Sequence, residues 1–322
     1  MKSFKTLLVS FTLVSVPVVP SVYSCDLCAV HTARLAAGEG RPGLFAALAE
    51  QSTHFGSIRV NGVEVSNPGG QRMDSSITQA VAGWTFGEHF QVQASVPLIY
   101  RTFKRIENNE PQVGVVAGVG DIVLSGDWSP WFRQSGNVTG SWDLLAGIKL
   151  PTGSSARLRE ETQEGEGEES TAIPSTIHGH DLTLGSGSVD GIVGTSIFLC
   201  WNRWYFDGSA QYAIRTDGAY DYRFANGLTW NAGVGRYLWL EHRFTVALEA
   251  VVSGDHKDRD TFRGAAAEDT GITTVYVGPQ ISATWRDWLT AEVGVDLPVS
   301  IQNTALQSVP DYRIRAGISW RF

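Results

Sequence analysis

The stretch that most restricts what this chain can fold into is its end. From Tyr312 to Phe322 the residues alternate without a break, with Tyr312, Ile314, Ala316, Ile318, Trp320 and Phe322 on one face and Arg313, Arg315, Gly317, Ser319 and Arg321 on the other. A period of two marks an extended strand, because successive side chains leave a strand on opposite sides. One face of this strand calls for an apolar medium and the other for a polar one.

The pattern recurs upstream. Leu289, Ala291, Val293, Val295, Leu297 and Val299 interleave with Thr290, Glu292, Gly294, Asp296 and Ser300. Phe244, Val246, Leu248, Ala250 and Val252 alternate around Thr245 and Glu249, and Phe90, Val92, Ala94, Val96, Leu98 and Tyr100 around Gln91, Gln93, Ser95 and Arg101. These segments reach the roughly 9 to 11 residues that a tilted strand needs to cross a bilayer. Their charges keep to one face, as expected where an Arg or Lys facing lipid costs about 2 to 4 kcal/mol at the midplane. Repeated helical spans of about 20 apolar residues are excluded, since the chain is 43% hydrophobic with a mean hydropathy of -0.08. A final alternating strand that closes on an aromatic residue resembles the assembly signal of bacterial outer-membrane β-barrels. That resemblance implies an outer-membrane location, surrounding lipid and recognition by the barrel assembly machinery.

Twelve such segments can be marked, near 44–60, 74–87, 89–105, 113–129, 138–150, 189–200, 203–215, 222–236, 243–254, 272–285, 288–301 and 312–322. The expected fold is therefore all-β, a transmembrane antiparallel barrel of about twelve strands over 43–322. Short connections tend to alternate with long ones, which places both termini on the periplasmic side. Of the 11 tryptophans, all but Trp142 and Trp230 lie beside the short turns or the C-terminus, as an aromatic girdle at one membrane interface requires. Lys+Arg 25 against Asp+Glu 33 gives a net charge of -8, with no basic surplus for nucleic acid.

Residues 1–24 read as a signal peptide: Lys2 and Lys5 precede an apolar run from Leu7 to Val19, and Val22 and Ser24 suit cleavage before Cys25. Residues 25–42 form an N-terminal periplasmic segment with Cys25, Cys28 and His31 at C-x2-C-x2-H spacing. Three readings stay open there: a Cys25 to Cys28 disulfide, a soft-metal site using all three side chains, or lipidation of Cys25. No other cofactor is expected.

Inside the barrel, Glu50, His54, Arg101, Asp121, Asp127, Lys149 and Arg315 are expected to line a solute pathway. A wider lumen set takes in Arg105, Asp143, Asp207, Arg215, Arg223, Glu249, Glu292, Asp296 and Arg313. Their mixed signs argue against a strongly anion- or cation-selective ring. The long connection from Pro151 to Ser188 carries Glu160, Glu161, Glu164, Glu166, Glu168 and Glu169, then His178-Gly179-His180-Asp181. With few apolar residues it reads as a solvated outer loop. Catalysis on the outer wall of a barrel would need a nucleophilic Ser with a positioned His, and no Ser-His spacing stands out, so the chain reads as a non-enzyme.

Gly118-Val119-Gly120-Asp121 begins a strand through Trp128, and Lys149-Leu150-Pro151-Thr152-Gly153 ends the next before the long loop. With Ala49-Glu50-Gln51-Ser52-Thr53-His54-Phe55-Gly56 and Val96-Pro97-Leu98-Ile99-Tyr100, this order resembles the outer-membrane family named for the meta-cleavage pathway of phenol degradation. The resemblance covers roughly residues 43 to 322 and implies a transporter for hydrophobic or aromatic compounds. The expected function is passive passage of small solutes through an outer-membrane channel. The alternative is a barrel that serves as a scaffold or sleeve for a periplasmic redox or metal-binding partner at the cysteine segment.

Overall fold

The computed structural model describes residues 42–87, 89–107, 109–164, 173–241, 243–286 and 288–322. Twelve antiparallel strands close into one barrel: β1 (Gly43–Phe55), β2 (Arg72–Phe86), β3 (Phe90–Glu107), β4 (Glu110–Val119 continued by Ile122–Ser135), β5 (Val138–Leu150), β6 (Asp190–Trp201), β7 (Trp204–Ile214), β8 (Gly227–Glu241), β9 (Phe244–Lys257), β10 (Ile272–Trp285), β11 (Leu289–Asn303) and β12 (Tyr312–Arg321). Each pairs with its sequence neighbours, and β12 returns to β1 in a register from Phe45↔Arg321 to His54↔Tyr312. Closure leaves the barrel wall no free edge through the membrane, as a sheet in lipid requires.

The pleat sorts the side chains. Leu98, Val234, Leu248, Val293 and Leu297 stand exposed on the outside, while Gln93, Thr229, Asn231, Glu249 and Asp296 are buried within. The two ends of the wall meet at one rim, where the Phe322 amide donates to the Leu44 carbonyl at 2.9 Å. Tight turns close this rim, and Trp84, Trp128, Trp131, Trp201, Trp204, Trp239, Trp285 and Trp288 stand exposed on strand ends around it. The Arg236 and Arg286 guanidinia lie over the Trp204 and Trp285 rings at 5.3 and 5.9 Å, a pairing suited to a headgroup interface. The long connections gather at the opposite rim. There Ser57–Val60, Val63–Val65 and Leu306–Val309 form one small sheet, and Tyr222–Arg223, Thr261–Phe262 and Ala265–Ala266 form another.

Four sequence expectations change. The first segment leaves the barrel after Phe55, so 57–60 belongs to a loop sheet. Likewise β8 starts at Gly227, which puts Arg223 outside the lumen, exposed and 3.9 Å from Asp217. A bulge in β11, where Val275 pairs with Ser300 but Tyr276 with Pro298, leaves both Val299 and Ser300 exposed and turns Ile301 inward. Most consequentially, β1 is turned by one residue from the expected facing. Phe45, Ala47, Ala49, Gln51, Thr53 and Phe55 are buried inward, and Glu50 and His54 share the outer face with Leu44 and Leu48.

The two faces make opposite demands, which gives a direct check. Val234→Arg, half-way along β8 on the lipid side, should lower unfolding free energy in lipid vesicles by about 2–4 kcal/mol, whereas Thr229→Ser on the inner face should change it by less than about 1 kcal/mol. Equal effects in urea titrations of the two variants would contradict the facing described.

Candidate functional site

In its described residues, the connection after β5 turns into the barrel. Its root is built by the two glycine-containing motifs. β4 breaks at Gly120–Asp121, where the Gly120 amide donates to the Pro97 carbonyl at 2.8 Å and the Asp121 side chain turns inward. Lys149 Nζ meets Asp121 Oδ2 at 2.6 Å and Asp190 Oδ2 at 2.9 Å, with all three side chains almost wholly buried. Arg215 adds a second cation to Asp190 at 2.8 Å. The Gly153 amide donates to Asp121 Oδ1 (2.9 Å), the Ser186 amide to Asp121 Oδ2 (3.0 Å), and the Thr152 hydroxyl to the Gly120 carbonyl (3.0 Å). Glycine is needed here for close approach: a Cβ on Gly153 would stand 2.5 Å from the Leu184 carbonyl oxygen, and one on Gly185 2.5 Å from that of Gly153.

From this root the loop crosses the lumen. Ile177 and Leu182 are fully buried against Met73, Phe103 and Val116 of the wall, and Leu184 packs on Ile77 and Ile99. Arg101 donates to the carbonyls of Asp181 (2.9 Å) and Thr183 (2.6 Å), while Arg105 pairs with Glu160 at 3.0 Å. Gln71 donates to the Pro174 carbonyl at 2.9 Å and accepts from the amides of Ile106 and Thr176. The solvated loop expected from composition is thus corrected for its described residues. A segment with few apolar residues needs only a few when the wall supplies their partners.

At the far side the loop meets the connections between β7 and β8 and between β9 and β10. His178 Nε2 lies 3.3 Å from Asp269, and the His180 ring stacks between those of His178 and Tyr222 at 5.7 and 5.8 Å. Burial disfavours a charged His180, yet Asp181 and Glu161 outweigh it and hold the imidazole's pKa well above its ordinary value. Asp181 is pushed the other way: burial opposes its charge, but His180 and His178 keep its carboxyl far below the usual range. Burial first, then Asp260, raises the Tyr222 phenol well beyond its usual value.

Beside the loop lies a chamber of about 190 Å³. Phe55, Leu184, Phe224, Ile272 and Tyr276 give it apolar surface, and Gln51, Thr53, Arg101 and Arg313 give it polar points. The Arg313 guanidinium lies 4.1 Å over the Tyr276 ring and bonds Asp296 (2.9 Å) and Asp255 (3.0 Å). Deeper in, Arg315 bonds the same Asp296 at 2.8 Å and Gln280 at 3.1 Å.

Of the residues expected to line the pathway, Arg101, Asp121, Asp127, Lys149 and Arg315 are buried on the inner face. Asp121 and Lys149 touch; Arg101 grips the loop; Arg315 belongs to the separate cluster around Asp296. Glu50 and His54 are not in the lumen. On the outer wall Glu50 accepts from the hydroxyls of Ser76 (2.6 Å) and Thr78 (2.5 Å), and His54 Nδ1 lies 2.6 Å from Asp74. His54 Nε2 faces Asp311 at 3.8 Å, so among the described residues this pair is not completed to a Ser–His–Asp set. Cys25, Cys28 and His31 lie outside the described residues. Among those described, no group of three or more His, Cys, Asp or Glu is placed to hold a metal ion. Sequence reasoning did not find Asp190, Ser186, Glu161 and His180 as lumen residues, because their roles exist only once the loop is folded inward.

The root should be the costliest place to disturb. Lys149→Met takes the cation from Asp121 and leaves Asp190 with Arg215 alone, and should destabilise the barrel by about 3–5 kcal/mol, while Lys149→Arg keeps the charge and loses less. Thermal unfolding of the two variants in detergent checks the order, and equal midpoints would refute it.

No family model and no curated protein matches the chain by sequence. Comparison with solved structures finds an outer membrane channel from Pseudomonas putida at 12% identity and a TM-score of 0.64, covering 89% of this chain and 98% of that one. The translocator domain of autotransporter NalP from Neisseria meningitidis aligns at 13% identity and 0.44, over 92% and 94%. The CymD monoaromatic hydrocarbon channel aligns at 7% identity and 0.38, over 91% of each chain. At these identities the first likeness speaks to fold alone, and the other two bear no weight. The chain has the fold of a bacterial outer-membrane β-barrel.

Proposed function

We propose that the chain is an outer-membrane channel for passive passage of small solutes, with hydrophobic or aromatic compounds as the solute class. The observation that carries this reading is the chamber beside the inner loop. At about 190 Å³ it exceeds the roughly 150 Å³ of apolar space that accommodates benzene. Its apolar surface from Phe55, Leu184, Phe224, Ile272 and Tyr276, set among many polar and charged groups of both signs, suits a small ring-bearing solute with polar substituents better than a bare ion. The lumen beyond it carries charges of both signs tied to one another, which favours neutral passage over strong ion selectivity. The resemblance to the phenol-pathway family points to the same solute class. In this reading the tight-turn rim and both termini face the periplasm, and the loop rim faces outward.

The inner loop is then the constriction. Refolded protein in a planar lipid bilayer should pass a small current, and removing residues 156–182 should raise it several-fold, roughly as the open cross-section grows. Silence from both proteins, each verified as a folded barrel, would reject the channel reading.

A further inference from the structure

We propose that His180 is a pH-released latch on the inner loop, holding the loop across the lumen while its imidazole is charged and letting it go once the ring is neutral. The geometry calls for the charged ring. Nδ1 stands 2.9 Å from Glu161 Oε1 and Nε2 3.2 Å from Asp181 Oδ1, so both nitrogens face carboxylate oxygens. An imidazolium donates to Glu161 and pairs its charge with Asp181; a neutral ring loses the charge that both carboxylates face. The Glu161 oxygen also accepts the His180 amide at 2.7 Å, and the Asp181 carboxylate accepts the His178 amide at 2.9 Å. One proton therefore holds together two parts of the loop that are far apart in sequence, the turn at Glu161–Glu164 and the turn at Gly179–Leu182.

Every element packed on this ring contributes a charge or a titratable group. From the loop itself come Glu161, Asp181 and His178. Next to them Glu160 is occupied by Arg105 (3.0 Å) and Arg157 (2.5 Å), and Arg101 sits on the Asp181 carbonyl. Tyr222 covers the ring from the connection between β7 and β8, its hydroxyl donating to Asp260 at 2.6 Å. Asp260 also takes Lys257 at 2.8 Å. Asp269, from the connection between β9 and β10, holds His178. With the nearby cations already engaged by other groups, loss of the His180 proton leaves Glu161 and Asp181 facing each other with their shared counter-charge gone.

The direction follows from linkage. A histidine whose folded-state pKa is raised gives its full stabilisation below the ordinary pKa and loses it as pH rises through the folded value. Asp181 stays charged far into acid, so acid does not discharge its side of the latch until well below the usual carboxylate range. Release by loss of the ring's proton therefore comes on the alkaline side.

The test reads the loop and not the current, so it stands apart from the channel proposal. Amide hydrogen–deuterium exchange of the full chain in lipid nanodiscs is followed over residues 176–186 as protection factors, which remove the intrinsic pH dependence of exchange. As pH rises from about 6, below the ordinary histidine value, to the highest pH at which the wall strands keep their protection, protection of the loop should fall about tenfold in the wild type. His180→Gln should show the low protection at both ends with no pH step. Should His180→Gln fail to fold, Glu161→Gln removes one carboxylate from the ring and should move the wild-type step to lower pH. A flat wild-type profile, or a step unmoved in Glu161→Gln, overturns the latch. A bilayer silent at every pH alongside a clear exchange step would reject the channel and leave the latch standing.

Discussion

The fully buried triad of Lys149 with Asp121 and Asp190 is the interaction on which the rest of the interior depends. Taking these charges out of water costs several kcal/mol per ion, and mutual attraction offsets it only where geometry and further hydrogen bonds are good. Here they are: Asp121 accepts from two backbone amides as well as from Lys149, and Asp190 receives Lys149, Arg215 and the Thr216 amide. The gain is one of direction more than of stability. By binding β4, β5, β6 and both ends of the loop at one point, the triad dictates that the chain leaving β5 goes into the lumen. The Gly153–Gly185 contact then lets the two ends of the loop run against each other without a side chain between them.

Much of the barrel was legible because lipid imposes a rule on every strand. Where charged and apolar residues alternate cleanly, as in Phe90–Tyr100 or Leu289–Leu297, the facing could be read directly. β1 shows where the rule fails. Leu44, Phe45, Ala46, Ala47, Leu48 and Ala49 are all apolar and carry no period-two signal, so the facing had to rest on the polarity of Glu50 and His54. The fold decides it otherwise through pairing, since Glu50 lies opposite Thr78 and Ala316 and His54 opposite Asp74 and Tyr312. Polar groups on the outer wall answer one another: the Glu50 carboxylate takes two hydroxyls, and Asp74 takes His54. A carboxylate on the lipid side is tolerated more readily than a cation, and satisfied hydrogen bonds lower its cost further.

The site was less legible for a different reason. The motif around Gly120–Asp121 and the one around Lys149–Gly153 could be recognised as a pair, but nothing in their spacing says that Asp121 closes on Lys149 and on the loop amides. The loop's composition misled, because the entropy argument counts only the apolar residues a segment brings with it. Ile177, Leu182 and Leu184 suffice because Met73, Ile77, Ile99, Phe103 and Val116 face them from strands far away in sequence. Those wall residues carried half of the signal: apolar side chains pointing into a lumen otherwise rich in Gln, Ser, Thr and charge require a cover.

Two kinds of contact therefore hold the inner loop, and they differ in what can undo them. The root rests on Lys149 and Arg215 paired with Asp121 and Asp190, and on the close backbone contact of Gly153 with Gly185. The far end rests on imidazoles, a phenol and carboxylates, whose balance depends on one proton. Between the two lies the apolar docking against β2, β3 and β4, indifferent to pH. If the latch proposed above releases, it frees the charge-dependent end, while the ion pairs of the root and the apolar docking in the middle remain. The chamber reaches both ends: His178, His180, Asp181 and Asp269 line it on the charge-dependent side, and Gly185, Ser186 and Arg215 at the root. His178, His180, Asp181 and Asp269 therefore form the part of the chamber lining whose charge balance the latch would change.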